Sequence, residues 1–249
     1  MYKRQVRILT LSHPARRNAL DDGLLTQLQE ALAPAGPRPR AMLIRGEGPA
    51  FCAGYDLNRL PEAGAGGPLP DAYLMETLRL LEACPWPTVA MIRGPAYGAG
   101  CDLALACDFR LGAPDAVFCL PPAKLGIAYA PDGLQRALGV LRRAFVKQML
   151  FTGEPVRAER ALAEGLLGAV HPAETLEQEA LALCETLAAR APLALAGMKE
   201  TLRRLTRSPL TIADVAELEV LRREAYLSED AKEGRAAFLA KRSPRFTGR

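Results

Sequence analysis

Apolar and polar positions alternate with strand-like spacing over Val6 to Leu11, and two short apolar runs, Ala41-Met42-Leu43-Ile44 and Thr88-Val89-Ala90-Met91-Ile92, read as buried parallel strands. Between them the period lengthens to that of a helix. Leu24, Leu28 and Leu32 place one apolar face on a helix over Asp21 to Leu32, and Leu74, Leu78 and Leu81 do the same for a helix that Asp71 is placed to cap. Glycines and prolines crowd the stretch from Glu62 to Pro70, which reads as a surface segment of the kind that covers a pocket. After Phe151 strand signals almost vanish. Helical stripes follow, first Leu176, Ala180, Leu183 and Leu187, then Met198, Leu202 and Leu205, with Pro192 punctuating them. The chain therefore reads as α/β with a helical second part.

Two glycine-rich stretches interrupt this pattern where chemistry belongs. Phe51-Cys52-Ala53-Gly54-Tyr55-Asp56-Leu57 follows the second strand, and Tyr97-Gly98-Ala99-Gly100-Cys101-Asp102-Leu103-Ala104-Leu105 follows the third. Both leave the carboxyl end of a parallel strand, where α/β sheets bind ligands. Small residues let a ligand approach the main chain, and first-turn N–H groups have no partner inside the helix. Two such amides facing one carbonyl oxygen make an oxyanion hole. In other enzymes, loss of one donor of this kind costs about 3 kcal/mol of transition-state stabilisation.

These two stretches resemble the crotonase (enoyl-CoA hydratase/isomerase) superfamily, whose pattern is a FCAGxDL loop followed by GxGxGC[ED]LALACD. The resemblance spans the chain, through His13-Pro14-Ala15-Arg16-Arg17-Asn18-Ala19-Leu20, Leu125-Gly126-Ile127, Phe151-Thr152-Gly153, Arg160-Ala161-Leu162 and Ala237-Phe238-Leu239-Ala240-Lys241-Arg242. It implies a spiral of ββα units over 1–190 carrying an acyl-CoA site. A C-terminal helical region over 191–249 would make trimer contacts, with two trimers often forming a hexamer. It also implies a thioester substrate carried on coenzyme A, which is part of the substrate rather than a separate cofactor. The carbonyl oxygen would be held by the N–H groups of Tyr55 and Ala99. Ala53, Gly54, Asp56, Leu57, Gly98 and Pro121 would line the substrate, and Lys241 would reach a coenzyme A phosphate. Tyr55 is bulkier than the usual residue there, and its ring is expected against the acyl pocket, the pantetheine arm or the loop itself.

The acid–base positions depart from the hydratase pattern. Hydration of an enoyl thioester uses two carboxylates about one water. The first matches Asp102, but the second falls in Phe118-Cys119-Leu120-Pro121-Pro122-Ala123 and is Pro122, which transfers no proton. The stretch Leu125-Gly126-Ile127-Ala128-Tyr129-Ala130, and the tail from Leu221 to Pro244, resemble methylmalonyl-CoA decarboxylases of the same superfamily, which carry a tyrosine at this offset. Loss of carbon dioxide from a 2-carboxyacyl thioester creates the enolate without a base. The expectation is therefore a lyase acting on an acyl-CoA thioester, with Tyr129 and Asp102 handling the substrate carboxylate or the returning proton. Hydration or isomerisation using Asp102 or Asp132 is the alternative, Asp132 lying two positions later than in the isomerase pattern. A non-catalytic acyl-CoA- or RNA-binding member of the superfamily is the alternative from another class.

Composition narrows this little further. The 249 residues suffice for a substantial core. Thirty-two Lys and Arg against 28 Asp and Glu, dispersed along the chain, do not suggest a nucleic-acid surface. Six cysteines with no C-x-x-C pair suit reduced core thiols. No apolar run approaches the ~20 residues of a membrane helix, and the start passes directly into a strand, so a cytoplasmic protein is expected. The only histidines, His13 and His171, form no metal-ligand spacing with cysteines or carboxylates, and no serine sits in a G-x-S-x-G elbow.

Overall fold

The computed structural model describes residues 5–33, 38–56, 69, 71–126, 128–206, 213, 217, 220, 224, 228–240 and 242–249. The expected surface segment over Glu62 to Pro70 lies outside these residues except for Leu69, as do Leu57, Lys241 and most of the tail segment from Leu221 to Leu227.

Five strands form one all-parallel sheet: β1 (Val6–Leu11), β2 (Ala41–Gly46), β3 (Thr88–Ile92), β5 (Phe109–Gly112) and β8 (Ala169–Val170), hydrogen-bonded in the order β1-β2-β3-β5-β8. A smaller sheet of β4 (Pro95–Tyr97), β6 (Val117–Cys119) and β7 (Val156–Arg157) stands beside it, with β4 and β6 parallel and β7 antiparallel. The three long strand readings from the hydropathy pattern are all present.

Because successive side chains of a strand point to opposite faces, the central strands divide their residues between two cores. Met42, Ile44, Ala90 and Ile92 enter the larger one, shared with α1 (Asp22–Leu32), α2 (Ala72–Ala83), α3 (Ala99–Ala106), α4 (Pro131–Val140), α5 (Arg143–Thr152) and α6 (Ala158–Ala163). Ala41, Leu43, Val89 and Met91 face the other way, onto α7 (Leu176–Ala188). Both faces of β2 and β3 are thus covered, which explains their continuous apolar runs.

Helix packing follows the predicted stripes with small rotations. On α1 the buried positions are Leu25, Leu28 and Leu32, with Leu24 at the shoulder; the Asp21 carboxylate caps the helix by accepting from the Leu24 N–H at 2.9 Å. Leu74, Leu78 and Leu81 of α2 are buried as expected. Asp71 stands at the cap position, but its side chain makes no capping bond; instead its carbonyl accepts from the Met75 N–H at 2.9 Å. On α7 the inner face is Leu176, Ala180, Cys184 and Ala188, so Leu183 and Leu187 sit at its flank. Small residues at four-residue spacing let this helix lie close against the sheet.

The last helices behave differently. α8 (Pro192–Leu205) is bent by 104° from α7 and has no fully buried residue; Met198, Leu202 and Leu205 are more than half exposed. Its Lys199 ties it to the base of the sheet, donating to the Asp108 carboxylate at 2.7 Å and the Trp86 carbonyl at 3.1 Å. α9 (Glu229–Leu239) anchors the tail, the Asp230 carboxylate accepting from the Thr247 and Gly248 N–H groups at 2.6 and 2.8 Å. All six cysteines are free and buried. Among the described residues no single helix is long and apolar enough to cross a membrane.

Leu78 is fully enclosed while Leu80 on the same helix is 44% exposed. Leu78→Ala is expected to lower the unfolding free energy by about 2–5 kcal/mol, and Leu80→Ala by no more than about 0.5 kcal/mol, as read from chemical denaturation midpoints.

Candidate active site

The two glycine-rich stretches meet. Beyond β2 and β3 the chain continues as a short parallel pairing of Cys52 with Ala96, in which the Cys52 N–H donates to the Pro95 carbonyl at 3.0 Å and the Tyr97 N–H to the Cys52 carbonyl at 2.9 Å. Side chains at two positions would prevent this. A Cβ on Gly100 would lie 2.3 Å from the Cys52 carbonyl oxygen, and one on Gly54 would lie 2.9 Å from the Tyr97 oxygen. Gly54 also has φ of +109°, a conformation that side-chain-bearing residues rarely adopt. The same Gly54 Cβ position is 3.8 Å from the Ala99 nitrogen, which brings the start of α3 against the first loop.

At this junction two amides remain available. Ala99 opens α3, so its N–H lies outside the helical ladder. The Tyr55 N–H donates to no carbonyl among the described residues, although its neighbours are engaged on either side: the Gly54 carbonyl accepts from the Leu20 N–H at 2.7 Å, and the Asp56 N–H donates to the Leu20 carbonyl at 2.8 Å. Gly98, at the N-cap of α3, donates its N–H to the Cys119 carbonyl at 2.8 Å, which sets the end of β6 beside the helix start.

The segment from His13 to Leu20 straps the first loop from outside. Asn18 is fully buried with φ of +58°; its amide donates to the Glu47 and Ala50 carbonyls at 2.9 and 2.8 Å and its oxygen accepts from the His13 N–H at 2.9 Å. Asparagine tolerates this left-handed geometry better than most residues. The Ala53 N–H donates to the Arg17 carbonyl at 2.9 Å, and the buried Asp56 carboxylate forms an ion pair with Arg16. Asp56 thus holds the strap against the loop through its side chain. Tyr55 projects its hydroxyl to Asp22, donating at 2.8 Å, so the ring packs against the start of α1; partial burial and that acceptor push its pKa up to about 12.

Asp102 lies in the first turn of α3, where the helix dipole favours a carboxylate, and is only 1% exposed. Its Oδ1 accepts from Arg136 at 2.6 Å. Its Oδ2 has no hydrogen-bond partner and no contact with solvent, and the same holds for the neighbouring Tyr129 hydroxyl. Both side chains border Gly133, where a Cβ would meet the Tyr129 ring at 2.5 Å and Asp102 Oδ2 at 3.2 Å, and the Tyr129 hydroxyl faces the Asp102 carboxylate. Burial pushes the Asp102 carboxyl upward, opposed by Arg136 and Tyr129. Burial, and then the adjacent Asp102 charge, push the Tyr129 phenol well above its ordinary value.

The other positions sort clearly. Pro121 precedes a single 3₁₀ turn, Pro122–Leu125, and Pro122 is buried in it. Asp132 is partly exposed on α4 and pairs with Arg79 at 2.5 Å. Leu57 and Lys241, matched to substrate and coenzyme A contacts, lie outside the described residues. No cluster of three or more His, Cys, Asp or Glu able to hold a metal is found among the described residues.

Arg136 and its partner Glu82 went unrecognised in the sequence. Arg136 is buried, with its side chain 2% exposed, and it donates to both Glu82 carboxylate oxygens at 2.9 and 3.2 Å as well as to Asp102. Burial opposes its charge, but the two carboxylates outweigh that and raise its pKa. The available signal was an arginine beside Gly133 and Ala137 on the inward face of α4, together with an aspartate whose burial demands a cation.

A parallel sheet feeding two abutting loops, a second small sheet and a helical C-terminal part constitute the crotonase-type α/β fold. An enoyl-CoA hydratase/carnithine racemase from Magnetospirillum magneticum superimposes with a TM-score of 0.88 at 31% identity, covering 98% of this chain and 93% of that one. A methylmalonyl-CoA decarboxylase crystallised with 2S-carboxypropyl-CoA gives 0.78 at 30% identity, covering 98% and 95%. The enoyl-CoA hydratase/isomerase family model matches residues 2–249. In sequence, the chain is 36% identical to the 2,3-dehydroadipyl-CoA hydratase of Escherichia coli strain K12, over 99% of this chain and 97% of that protein. It is 32% identical to the methylmalonyl-CoA decarboxylase of the same organism, over 98% and 95%. The chain belongs to the enoyl-CoA hydratase/isomerase family.

Because Gly100 faces the Cys52 backbone, Gly100→Ala is expected to force the loops apart and lower the unfolding free energy by about 1–3 kcal/mol. Gly139→Ala on exposed α4, where a Cβ meets only ordinary contacts at 3.6 Å, is expected to raise it by up to about 1 kcal/mol; denaturant titration reads both.

Proposed function

We propose that this protein is an acyl-CoA lyase that removes carbon dioxide from a methylmalonyl-CoA-like 2-carboxyacyl-CoA. The observation that carries this reading is the Tyr129 side chain set against Asp102, its hydroxyl and Asp102 Oδ2 both shut off from solvent. It is supported by Pro122, which stands where the family resemblance leads one to expect the second carboxylate of a hydratase. A hydratase of the two-carboxylate kind needs groups on either side of a water. Here one side is proline and the free carboxylate oxygen is closed off from solvent.

In the proposed reaction the Tyr55 and Ala99 N–H groups hold the thioester oxygen. The bond between the α-carbon and the substrate carboxylate breaks, carbon dioxide leaves, and the electron pair passes into the enolate, whose oxygen carries charge toward the two amides. Fixed donors aimed at an oxygen that gains charge lower the barrier more than they strengthen ground-state binding. Tyr129 hydrogen-bonds the departing carboxylate and, with Asp102, manages the proton that returns to the α-carbon. Burial and the Asp102 charge hold the Tyr129 phenol well above its ordinary value, so its hydroxyl stays a donor, while burial raises the proton affinity of Asp102 against the pull of Arg136. Ala53, Gly54, Gly98 and Pro121 present backbone to the acyl chain and pantetheine, while Asp56 contributes through the loop it holds.

Coenzyme A enters as part of the substrate, with no separate cofactor. A homotrimer or hexamer is proposed, supported by the exposed apolar face of α8. The six free, buried thiols fit a reducing, cytoplasmic setting.

Hydration remains a second reading because the 36% identical relative is named a hydratase; it would rest on Asp102, since Asp132 is committed to Arg79. Incubation with a panel of 2-carboxyacyl-CoA and enoyl-CoA thioesters, followed by product masses, separates the two. Loss of carbon dioxide supports decarboxylation, and water addition to enoyl-CoA alone overturns it. Tyr129→Phe is expected to reduce the decarboxylation kcat by about 100-fold or more with little change in KM, whereas Asp132→Asn is expected to leave both near wild type. A full rate in Tyr129→Phe would remove the hydroxyl from the mechanism.

A further inference from the structure

Asp102 is enclosed, and Arg136 and Glu82 connect it in turn to a cavity on the far side of its helix. Behind α3, away from the glycine loops, a cavity of about 330 Å³ opens between α3, α4 and α8. Glu82 and Arg136 both line it. The Glu82 side chain is 20% exposed, the Arg136 side chain 2% and the Asp102 side chain 1%, so burial deepens from the cavity to the site. Arg136 is the only arginine or lysine among the described residues with an ion pair to Asp102, and it divides its donors between that carboxylate and Glu82.

The consequence is geometric first. By taking Oδ1, Arg136 leaves Oδ2 of Asp102 as the oxygen beside the Tyr129 hydroxyl. By accepting two of the remaining guanidinium donors, Glu82 fixes the plane of the arginine, and a planar fork held at both ends has one orientation. It is electrostatic second. A buried cation shared by two carboxylates neutralises each less completely than it would neutralise one. The charged and titratable groups facing Asp102 are Glu82 from α2, Arg136 from α4, Tyr129 from the loop before α4, and Cys101 on α3 itself. Other ions around the cavity have their ion pairs elsewhere, Asp132 with Arg79, Lys199 with Asp108 and Arg203 with Glu200, although the Arg203 charge also acts on Glu82.

We infer that Glu82 and Arg136 are positioning residues that orient Asp102 and set its proton affinity from behind the site, Glu82 acting through Arg136. The inference rests on the reading of Asp102 as a proton-handling group, but it makes a prediction about Asp102 that needs no substrate. Removing the Glu82 charge leaves Arg136 wholly to Asp102, which strengthens its carboxylate form. Removing the Arg136 charge does the opposite. Two substitutions in one ion triad should therefore move one group in opposite directions, an outcome that loosened packing alone does not produce.

The test is an infrared titration of protein labelled with carbon-13 at aspartate carboxyls, the Asp102 band being assigned by its absence in Asp102→Asn. Glu82→Gln is expected to lower the Asp102 midpoint by about one pH unit, Arg136→Gln to raise it, and Arg136→Lys to return it toward the wild-type value. If Arg136→Gln fails to fold, as removal of one partner from a buried pair can cause, Glu82→Gln and Arg136→Lys decide the matter. An Asp102 midpoint unchanged in Glu82→Gln, or moved the same way by substitution at either residue, overturns the inference. Turnover of Asp102→Asn is measured alongside. Full activity there refutes the proton-handling reading of Asp102 while leaving the titration result to judge the triad on its own.

Discussion

Two backbones approach each other more closely in this protein than side chains would permit, and the site depends on that approach. The Cys52 main chain lies against Gly100 and pairs with Ala96 in the register of an extra parallel bridge, and Gly54 lies against the Tyr97 carbonyl. Everything functional is placed relative to this seam. The seam brings the first amide of α3 to the loop that carries the Tyr55 amide, and it turns α3 so that Asp102, three residues after Ala99, points into the space beside Tyr129. Backbone donors fixed by sheet pairing on one side and a helix on the other cost no reorganisation when charge develops on a bound oxygen.

The strap over His13 to Leu20 and the helices around the seam keep it closed. Asn18 spends its side-chain hydrogen bonds on holding His13, Glu47, Ala50 and Phe51 in place, and Arg16 with Asp56 closes the outer edge. On the inner side, α2 and α4 bring Glu82 and Arg136 together behind Asp102. A carboxylate this deeply enclosed would be costly alone, since one neutralising partner is the usual condition for burying a charge. The site therefore combines a neutral backbone element, proposed to stabilise charge on the substrate, with an ionic one, proposed to govern where protons reside.

Much of this was legible in the sequence because it depends on residues near one another in the chain. Gly54, Gly98 and Gly100 announce loops, and the apolar runs before them announce the strands that deliver those loops. Pro122, standing where the resemblance leads one to expect a carboxylate, needed only the position to be matched. What was not legible depends on long-range geometry. Arg136 and Glu82 lie 34 and 20 residues from Asp102, on two different helices, and only the fold brings the three together. The α7 stripe shifted by one position because Cys184 and Ala188, small rather than strongly apolar, are what allow a helix to sit close on a sheet. The apolar face of α8 was recognised as a stripe, but a stripe does not say whether its own chain covers it, and here Met198, Leu202 and Leu205 stay exposed.

The relatives differ in reaction while sharing the fold, a hydratase at 36% identity and a decarboxylase at 32%. That divergence is expected if the two amides generate a common enolate-like charge and the surrounding side chains determine its fate. The most direct measurement is the infrared carbonyl stretch of a non-reactive coenzyme A thioester, labelled with carbon-13 at the carbonyl and bound to the protein. Polarisation by the Tyr55 and Ala99 N–H groups predicts a band shifted to lower frequency than in water; a bound carbonyl at or above its solution frequency would contradict the account.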